Sequence, residues 1–286
     1  MKDEFVKLND VSYNDANINA FSRLDSYWLA NFSKLQRGIK VRHSDLKAVT
    51  ELGIRPYDVM MRYKLKGIEF GRWVSTVERH DLFCSGVLAL EDLAQVLGYK
   101  NLGFDHNVGI SFGGRGRGGN AKAHFEPSTM MINLTKPHGA NSLAHEYGHA
   151  MDYFIGMRLD VNRYTAALSG GSIVGSGDYV GARGPYRLQM DRVLQAILST
   201  KSYDMWKKST NNPEYKCNHT EMFARSFEQW VACKLYEKKV ANVYLTKPVS
   251  IYSKAPEWYL TDSDCKKVFP RIATLVKMIA KAANKK

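Results

Sequence analysis

The sequence predicts an α+β protein that is mostly helical and has a small mixed sheet. Capped and amphipathic stretches over residues 75–98, 141–156 and 270–283 are typical of helices. Two short apolar runs, Val108–Phe112 and Met130–Leu134, have the length and composition of buried strands. The chain has 286 residues, of which 44% are hydrophobic, so it can bury a sizeable core.

The predicted elements before residue 100 are helical. Residues 15–37 carry aromatic side chains along a helical stretch, and residues 44–52 form a short predicted helix. Ser75 and Glu78 have the spacing of a capping box, in which each side chain accepts a hydrogen bond from the other residue's backbone N–H. The helix that they open is predicted to end at Gly98.

A glycine-rich stretch joins the two predicted strands. Gly114, Gly116 and Gly119 match G-x-G-x-x-G, but no predicted helix follows, so the pattern is a weak indication of dinucleotide binding. Two interpretations of the stretch stay open. It is either a mobile connection between strands or a loop beside a substrate cleft, where the charges of Arg115 and Arg117 assist binding.

The second half of the chain begins with a segment of unusual composition. Residues 157–185 are rich in Gly and Ser, which is typical of a long mobile insertion and could form a lid. A helix is predicted over residues 186–200. Pro270 is a favoured first residue of a helix, so the last helix is predicted to run from Pro270 to Ala283.

An H-E-x-x-H run carries the main chemical signal of the sequence. Its helix is predicted to begin at Asn141 as N-cap and to stop at Gly156. On a helix, residues four apart lie one turn along the same face, so His145 and His149 form a pair of zinc ligands. Glu146 is placed to act as the general base on a water molecule.

A catalytic zinc ion needs a third protein ligand, and three residues are candidates. Glu221 is favoured because it shares one face of a predicted helix with Arg225 and Glu228, and a buried carboxylate row is costly unless it meets a cation. The alternative is a solvated helix face with a Glu–Arg pair. Asp152 is expected to accept a hydrogen bond from a ligand imidazole instead, and Arg225 and Glu228 are expected to stand beside the ligands rather than to bind the metal. His219 is expected at a helix start.

The combination of HEYGHAMD at residues 145–152 and EMFARSFE at residues 221–228 resembles the gluzincin metallopeptidases, and among them the lethal-factor-like group. It resembles even more the zincin domain of large polyvalent proteins from phages and conjugative elements. Further similar segments are residues 68–75, 92–94, 112–119, 123–127, 132–136 and 268–270. The resemblance covers residues 57–280, and it implies a zincin domain over 57–286 after a helical N-terminal extension over 1–56.

The resemblance also implies roles for individual residues. His145, His149 and Glu221 are expected to bind one Zn²⁺ per chain, with Glu146 as the base. Tyr215, six residues before Glu221, is the candidate stabiliser of the oxyanion. The stretch between them departs from the family, which usually has Trp-Ser-x-Pro there.

In zincins the edge strand of the sheet flanks the active-site helix and holds the peptide as an added strand. Here that strand is expected to be formed by Met130, Met131, Ile132 and Asn133.

These observations predict a zinc-dependent endopeptidase of phage or mobile-element origin that acts on host or DNA-associated proteins. The alternative is a zincin scaffold whose catalysis is dispensable and which binds DNA or a host factor. The net charge of +13 is the reason to keep nucleic acid among the partners.

No apolar run approaches a membrane span, and the N-terminus lacks a signal-peptide pattern, so no membrane contact is expected. The expected location is the host cytoplasm, with packaging in a virion as the alternative.

Overall fold

The computed structural model describes residues 55–115, 122–158, 167–170 and 184–284. The predicted helices over 15–37 and 44–52 lie outside the described residues, as do Arg117 and most of the Gly/Ser-rich insertion.

The described residues form a mostly helical α+β structure with one small mixed sheet. The helices are α1 (Pro56–Arg62), α2 (Thr76–Leu97), α3 (Leu143–Arg158), α4 (Pro185–Leu198), α5 (Lys201–Lys207), α6 (Pro213–Cys217), α7 (His219–Glu237), α8 (Val249–Lys254) and α9 (Asp262–Ala283). The strands are β1 (Ile68–Phe70), β2 (Gly109–Phe112), β3 (Ala123–Glu126) and β4 (Met131–Leu134).

The chain divides into two compact units. The first contains the described residues of Met1–Leu143 together with Leu235–Pro248, and the second contains those of Ala144–Lys234 and Val249–Lys286. None of the helices in the described ranges is both long enough and apolar enough to span a membrane.

The first unit contains the sheet, whose strand order is β1-β2-β4-β3. Strands β1, β2 and β4 are parallel, and β3 is antiparallel to β4. Ile68, Ile110 and Ile132 are aligned across the parallel strands and are at most 3% exposed. Helix α2 lies against the sheet, since a β-carbon on Gly86 would meet the Phe112 ring at 2.6 Å. This apolar layer forms the core of the unit.

The predicted role of Met130–Asn133 as the sheet edge is wrong. Strand β4 begins at Met131 and pairs with β2 on one side and β3 on the other, so its backbone groups are already bonded. Met130 itself has a φ of 55°, which places it in a turn before the strand. Among the described strands, β3 is the one beside β4 that has no neighbour on its outer side.

The helix ends show where local sequence signals decide the structure. Ser75 caps α2, and Glu78 completes the capping box as predicted. Gly98 ends the helix in the left-handed conformation with a φ of 77°, which glycine adopts without the steric cost of a side chain.

Three predicted helix boundaries are wrong. Helix α3 starts at Leu143 and includes Gly156, and Asn141 has a φ of 68° before the helix. Helix α9 starts at Asp262, where the Thr261 side chain accepts a hydrogen bond from the Asp264 backbone N–H. Pro270 therefore lies inside α9 rather than at its start. The Thr261 cap extends the helix by two turns that the proline signal did not reveal.

The second unit contains the two helices with the candidate site residues. Phe223, Phe227, Trp230 and Val231 line one side of α7 and are at most 4% exposed, as their spacing predicts. Tyr147 of α3 stacks on Phe227 at 6.4 Å between ring centroids. Glu221 and Glu228 of α7 lie near the histidines of α3 as well.

Candidate metal centre

The helix α3 presents its two histidines together. Their rings meet edge to face, with centroids 4.8 Å apart. The Nε2 atoms of His145 and His149 are 3.2 Å apart, so both rings direct the same nitrogen to one point. This is the arrangement that the i, i+4 spacing predicts for a pair of metal ligands.

Glu221 of α7 brings a carboxylate to the same point. Its Oε2 atom lies 3.5 Å from His145 Nε2, and its Oε1 atom lies 3.2 Å from His149 Nε2. The ligand atoms of His145, His149 and Glu221 all lie within 4.8 Å of one another, and this group could hold a metal ion. The first residues of α7 therefore supply the third member, as the sequence favoured.

The distances fit a tetrahedral zinc ion. Nitrogen and oxygen ligands lie about 2.0–2.2 Å from zinc, so tetrahedral ligand atoms are about 3.3–3.6 Å from one another. The two Nε2 atoms are 3.2 Å apart, and each lies 3.2–3.5 Å from a different oxygen of the Glu221 carboxylate. With one atom taken from each residue, the three lie within 4.8 Å of one another, so a small movement of the carboxylate completes the tetrahedral spacing. Glu221 Oε2 is also buried without a hydrogen-bond partner in the described part of the chain, a state that a cation would relieve. Two imidazoles and one carboxylate are the ligand set of many catalytic zinc sites.

The pKa values of His145 and Glu221 are shifted because these side chains interact with each other. Burial alone lowers the pKa of His145, but its interactions with Glu221 and Glu228 outweigh burial and raise that pKa to about 10. Burial alone raises the pKa of Glu221, but its interactions with His145 and His149 outweigh burial and hold that pKa far below its usual range. These two shifts favour a protonated His145 imidazole beside an ionised Glu221 carboxylate.

Glu228 lies on the other side of the His145 ring. Its Oε2 atom is 3.5 Å from His145 Nδ1, and the residue is fully buried. A carboxylate at Nδ1 fixes the orientation of a metal-binding imidazole and keeps Nε2 available. Glu228 therefore lies where a supporting residue would stand, and its support of a metal ligand stays a prediction. The sequence did not reveal Tyr252, whose hydroxyl donates a hydrogen bond to Glu228 Oε1 over 2.8 Å.

Glu146 stands next to the histidine pair without a direct partner. It is 5% exposed, and within the described ranges its side chain makes no hydrogen bond or ion pair. Its negative charge nevertheless contributes to the raised pKa values of His145 and Tyr215, so it lies near both residues. A buried carboxylate with its acceptor atoms unengaged can take a proton from a water molecule beside the three ligands.

Tyr215 lies on the short helix α6, just before α7. Tyr215 is 43% exposed, and partial burial, followed by the negative charge of Glu221 and hydrogen bonding to it, raises the pKa of its phenol above the usual value. The phenol therefore stays protonated and can donate a hydrogen bond near Glu221. Arg225 supports this region, since its guanidinium lies 5.9 Å from the centre of the Tyr215 ring and 5.1 Å from that of Trp206.

The hydrogen bonds of Arg225 join α6 to α7. Its Nε donates to the Glu221 carbonyl over 3.2 Å, and its Nη2 donates to the Lys216 carbonyl. The residue is 4% exposed, and burial lowers its pKa despite the charge of Glu221. Arg225 thus holds the backbone around Lys216 and Glu221, and its supporting role at a metal site stays a prediction.

Asp152 is buried in the second unit, but its hydrogen bonds differ from the expected ones. Its carboxylate accepts from the Ser169 backbone N–H over 2.8 Å and from the Ser169 hydroxyl over 2.7 Å. In the described part of the chain, no hydrogen bond joins it to either imidazole, because the helix carries it one turn beyond His149. His219, the other candidate ligand, opens α7 and faces the Ser169 carbonyl at 3.3 Å. Neither residue belongs to the converging group.

The expected substrate contacts lie in the first unit. Arg115 pairs there with both oxygens of Glu69 and with Glu126, at 2.6–2.9 Å. These carboxylates balance its charge and connect the end of β2 to β1 and β3. Its contact with a substrate stays a prediction.

Comparison with protein families gives one match. Residues 207–283 match the family model described as "Large polyvalent protein-associated domain 1". This segment contains Tyr215, Glu221, Arg225 and Glu228, whereas the H-E-x-x-H helix lies before it. No curated protein and no solved structure matches the chain. The half of the candidate centre that α7 supplies is therefore similar to a domain associated with large polyvalent proteins.

Proposed function

We propose that this protein is a zinc-dependent endopeptidase with a zincin-type active site. His145, His149 and Glu221 bind the zinc ion, and Glu146 is the general base. The observation that carries the proposal is the convergence of two imidazole nitrogens and one carboxylate, whose ligand atoms all lie within 4.8 Å of one another. A structural zinc site alone would not require an unengaged carboxylate at Glu146, next to the first ligand.

Peptide hydrolysis follows from the chemistry of these side chains. When bound, zinc supplies the Lewis acidity that polarises the scissile carbonyl and makes water easier to deprotonate. Glu146 accepts the proton that the water loses as its oxygen bonds to the carbonyl carbon. Glu146 then gives this proton to the amine nitrogen as the C–N bond breaks. The Tyr215 phenol donates a hydrogen bond to the carbonyl oxygen as that oxygen becomes negative.

The substrate class is protein, and the origin of the enzyme is a phage or another mobile element. The similarity of residues 207–283 to a polyvalent-protein domain supports this origin. The net charge of +13 supports substrates with acidic surfaces or proteins bound to DNA. The enzyme would meet host proteins in the cytoplasm, either after synthesis there or after entry with a virion.

Metal content tests the centre first. The purified wild-type chain should contain about one zinc ion, and Glu221→Ala should contain much less. Glu214→Ala is the matched control, because Glu214 is an exposed glutamate on the neighbouring helix α6. A wild-type protein that takes up no zinc after gentle purification and zinc repletion would overturn the proposal.

Proteolysis tests the reaction itself. The wild-type protein should create new N-termini in a proteome-derived peptide mixture, detectable by mass spectrometry, and a chelator should abolish them. A zinc-loaded protein that yields no new termini in host extracts would favour the alternative, in which the scaffold binds DNA or a host factor. The net charge favours DNA in that case, and binding by Glu221→Ala should then weaken steeply as salt increases.

A further inference from the structure

The short helix α8 buries a single residue deeply. Tyr252 is 1% exposed, whereas its neighbour Ile251 on the same helix is 41% exposed. A six-residue helix contributes little stability by itself, so its position depends on this aromatic anchor. The buried end of the Tyr252 side chain is a hydroxyl group, which needs a hydrogen-bond partner when it is buried.

That partner is Glu228, in the middle of α7. The Tyr252 hydroxyl donates to Glu228 Oε1 over 2.8 Å. The other oxygen of the same carboxylate, Oε2, lies 3.5 Å from His145 Nδ1. Glu228 is fully buried, so each of its two oxygens depends on protein groups rather than on water. The carboxylate thus bridges a tyrosine of α8 and a histidine of α3.

The tyrosine ring is fixed by its packing. It meets the Tyr259 ring edge to face, with centroids 4.7 Å apart. Both rings belong to a buried apolar cluster with Ala232, against which Val249, Ala255 and Trp258 pack. A ring held on several sides cannot move its hydroxyl away from Glu228 without disturbing this cluster.

We propose that Tyr252 is a positioning residue for the metal ligand His145 and acts through Glu228. The inference rests on the proposed zinc site, because it concerns how one ligand is oriented. With Oε1 held by the tyrosine, the carboxylate keeps Oε2 toward His145 Nδ1. An acceptor at Nδ1 keeps the proton on that nitrogen and leaves the Nε2 lone pair for the metal. Tyr252 touches neither the metal position nor the reacting atoms.

Zinc affinity of the full chain, measured by competition with a chromophoric chelator, tests the role without using activity. Tyr252→Phe keeps the ring and removes the hydroxyl, and it should weaken zinc binding about three- to tenfold. Glu228→Gln places an amide where the acceptor stood, and it should weaken binding about 10- to 100-fold. The matched control is Tyr244→Phe, since the buried Tyr244 hydroxyl has no hydrogen-bond partner in the described residues. This control should bind zinc as the wild type does.

The double variant separates positioning from general packing. If Tyr252 acts through Glu228, Tyr252→Phe should add little to the effect of Glu228→Gln, so the two effects are not additive. The visible absorption of the Co²⁺-substituted protein should change in both single variants and stay unchanged in Tyr244→Phe. Additive effects, or wild-type zinc affinity in Tyr252→Phe, would overturn the role of Tyr252 while leaving the zinc site intact. A wild-type chain that binds no zinc would overturn both the role and the proposed function.

Discussion

Gly148 lies directly against Ala224. A β-carbon on Gly148 would stand 3.2 Å from the Ala224 Cα atom and 3.2 Å from the Phe227 ring. These distances are tighter than ordinary van der Waals contact, so α3 and α7 approach closely where their ligands meet. A side chain at position 148 would clash with α7, which explains why glycine stands between Glu146 and His149. It lets Glu221 reach the two imidazoles from the neighbouring helix.

Replacing Gly148 with alanine should move the helices apart. The methyl group meets backbone and ring atoms that cannot easily shift, so we expect a loss of about 1–3 kcal/mol in the free energy of unfolding. Zinc affinity should fall as well, because Glu221 moves relative to the histidines. Chemical denaturation and chelator competition measure the two effects. Undiminished stability in Gly148→Ala would show that the helices do not pack as closely as the structure indicates.

Glu146 is predicted to matter for catalysis and not for metal binding. Glu146→Gln keeps the side-chain size but removes the proton acceptor, so peptide cleavage should fall by about 10²–10⁴-fold while the zinc content stays unchanged. Elemental analysis and a cleavage assay on the same sample give both numbers. Glu214→Gln, on an exposed site, should change neither. Cleavage at the wild-type rate by zinc-loaded Glu146→Gln would remove Glu146 from the mechanism.

Asp152 should make the stability of the fold depend on pH. Burial raises its pKa from 3.8 to about 6, despite the hydrogen bonds from Ser169 and the opposing effect of His149. Its folded-state pKa exceeds the unfolded value, so its contribution favours folding at low pH and is lost as pH rises through about 6.

The variant Asp152→Asn removes that titration. Relative to the wild type, its free energy of unfolding should rise by about 2–3 kcal/mol between pH 4 and pH 7. Denaturation curves at several pH values measure this difference. The exposed Asp204 gives the control, because Asp204→Asn should leave the pH profile unchanged. A constant difference between Asp152→Asn and the wild type would contradict the raised pKa.

The candidate ligands could be found from sequence because their signals are local. The spacing of His145 and His149 fixes their common face once a helix forms, and the apolar residues of α7 mark the side of it that packs against other apolar side chains. Glu221 then follows from its place on the other side. Each inference uses residues that are within a few helical turns of one another.

The features that the sequence did not reveal depend on contacts between distant residues. The order of strands is not a local property, so β4 was expected at the sheet edge although β3 takes that place. Strand β3 has only four residues, all half-buried, and gives no clear alternation. Tyr252 lies 24 residues after its partner Glu228, and no spacing rule relates a residue of one helix to that of another.

Zinc binding should release protons at neutral pH. The pKa of His145 in the metal-free protein is raised to about 10, because pairing with Glu221 and Glu228 outweighs burial. Zinc needs the neutral imidazole, so binding near pH 7.5 should displace about one proton, and affinity should rise about tenfold per pH unit in that range. Calorimetry in buffers with different ionisation enthalpies measures the protons released.

The variant Glu221→Gln supplies the internal comparison for this prediction. It removes the negative charge that raises the pKa of His145, so the imidazole gives up its proton at lower pH. Zinc should bind it more weakly but release fewer protons near pH 7.5. If the wild type releases no more protons than Glu221→Gln, the carboxylate does not hold a proton on His145 in the metal-free protein.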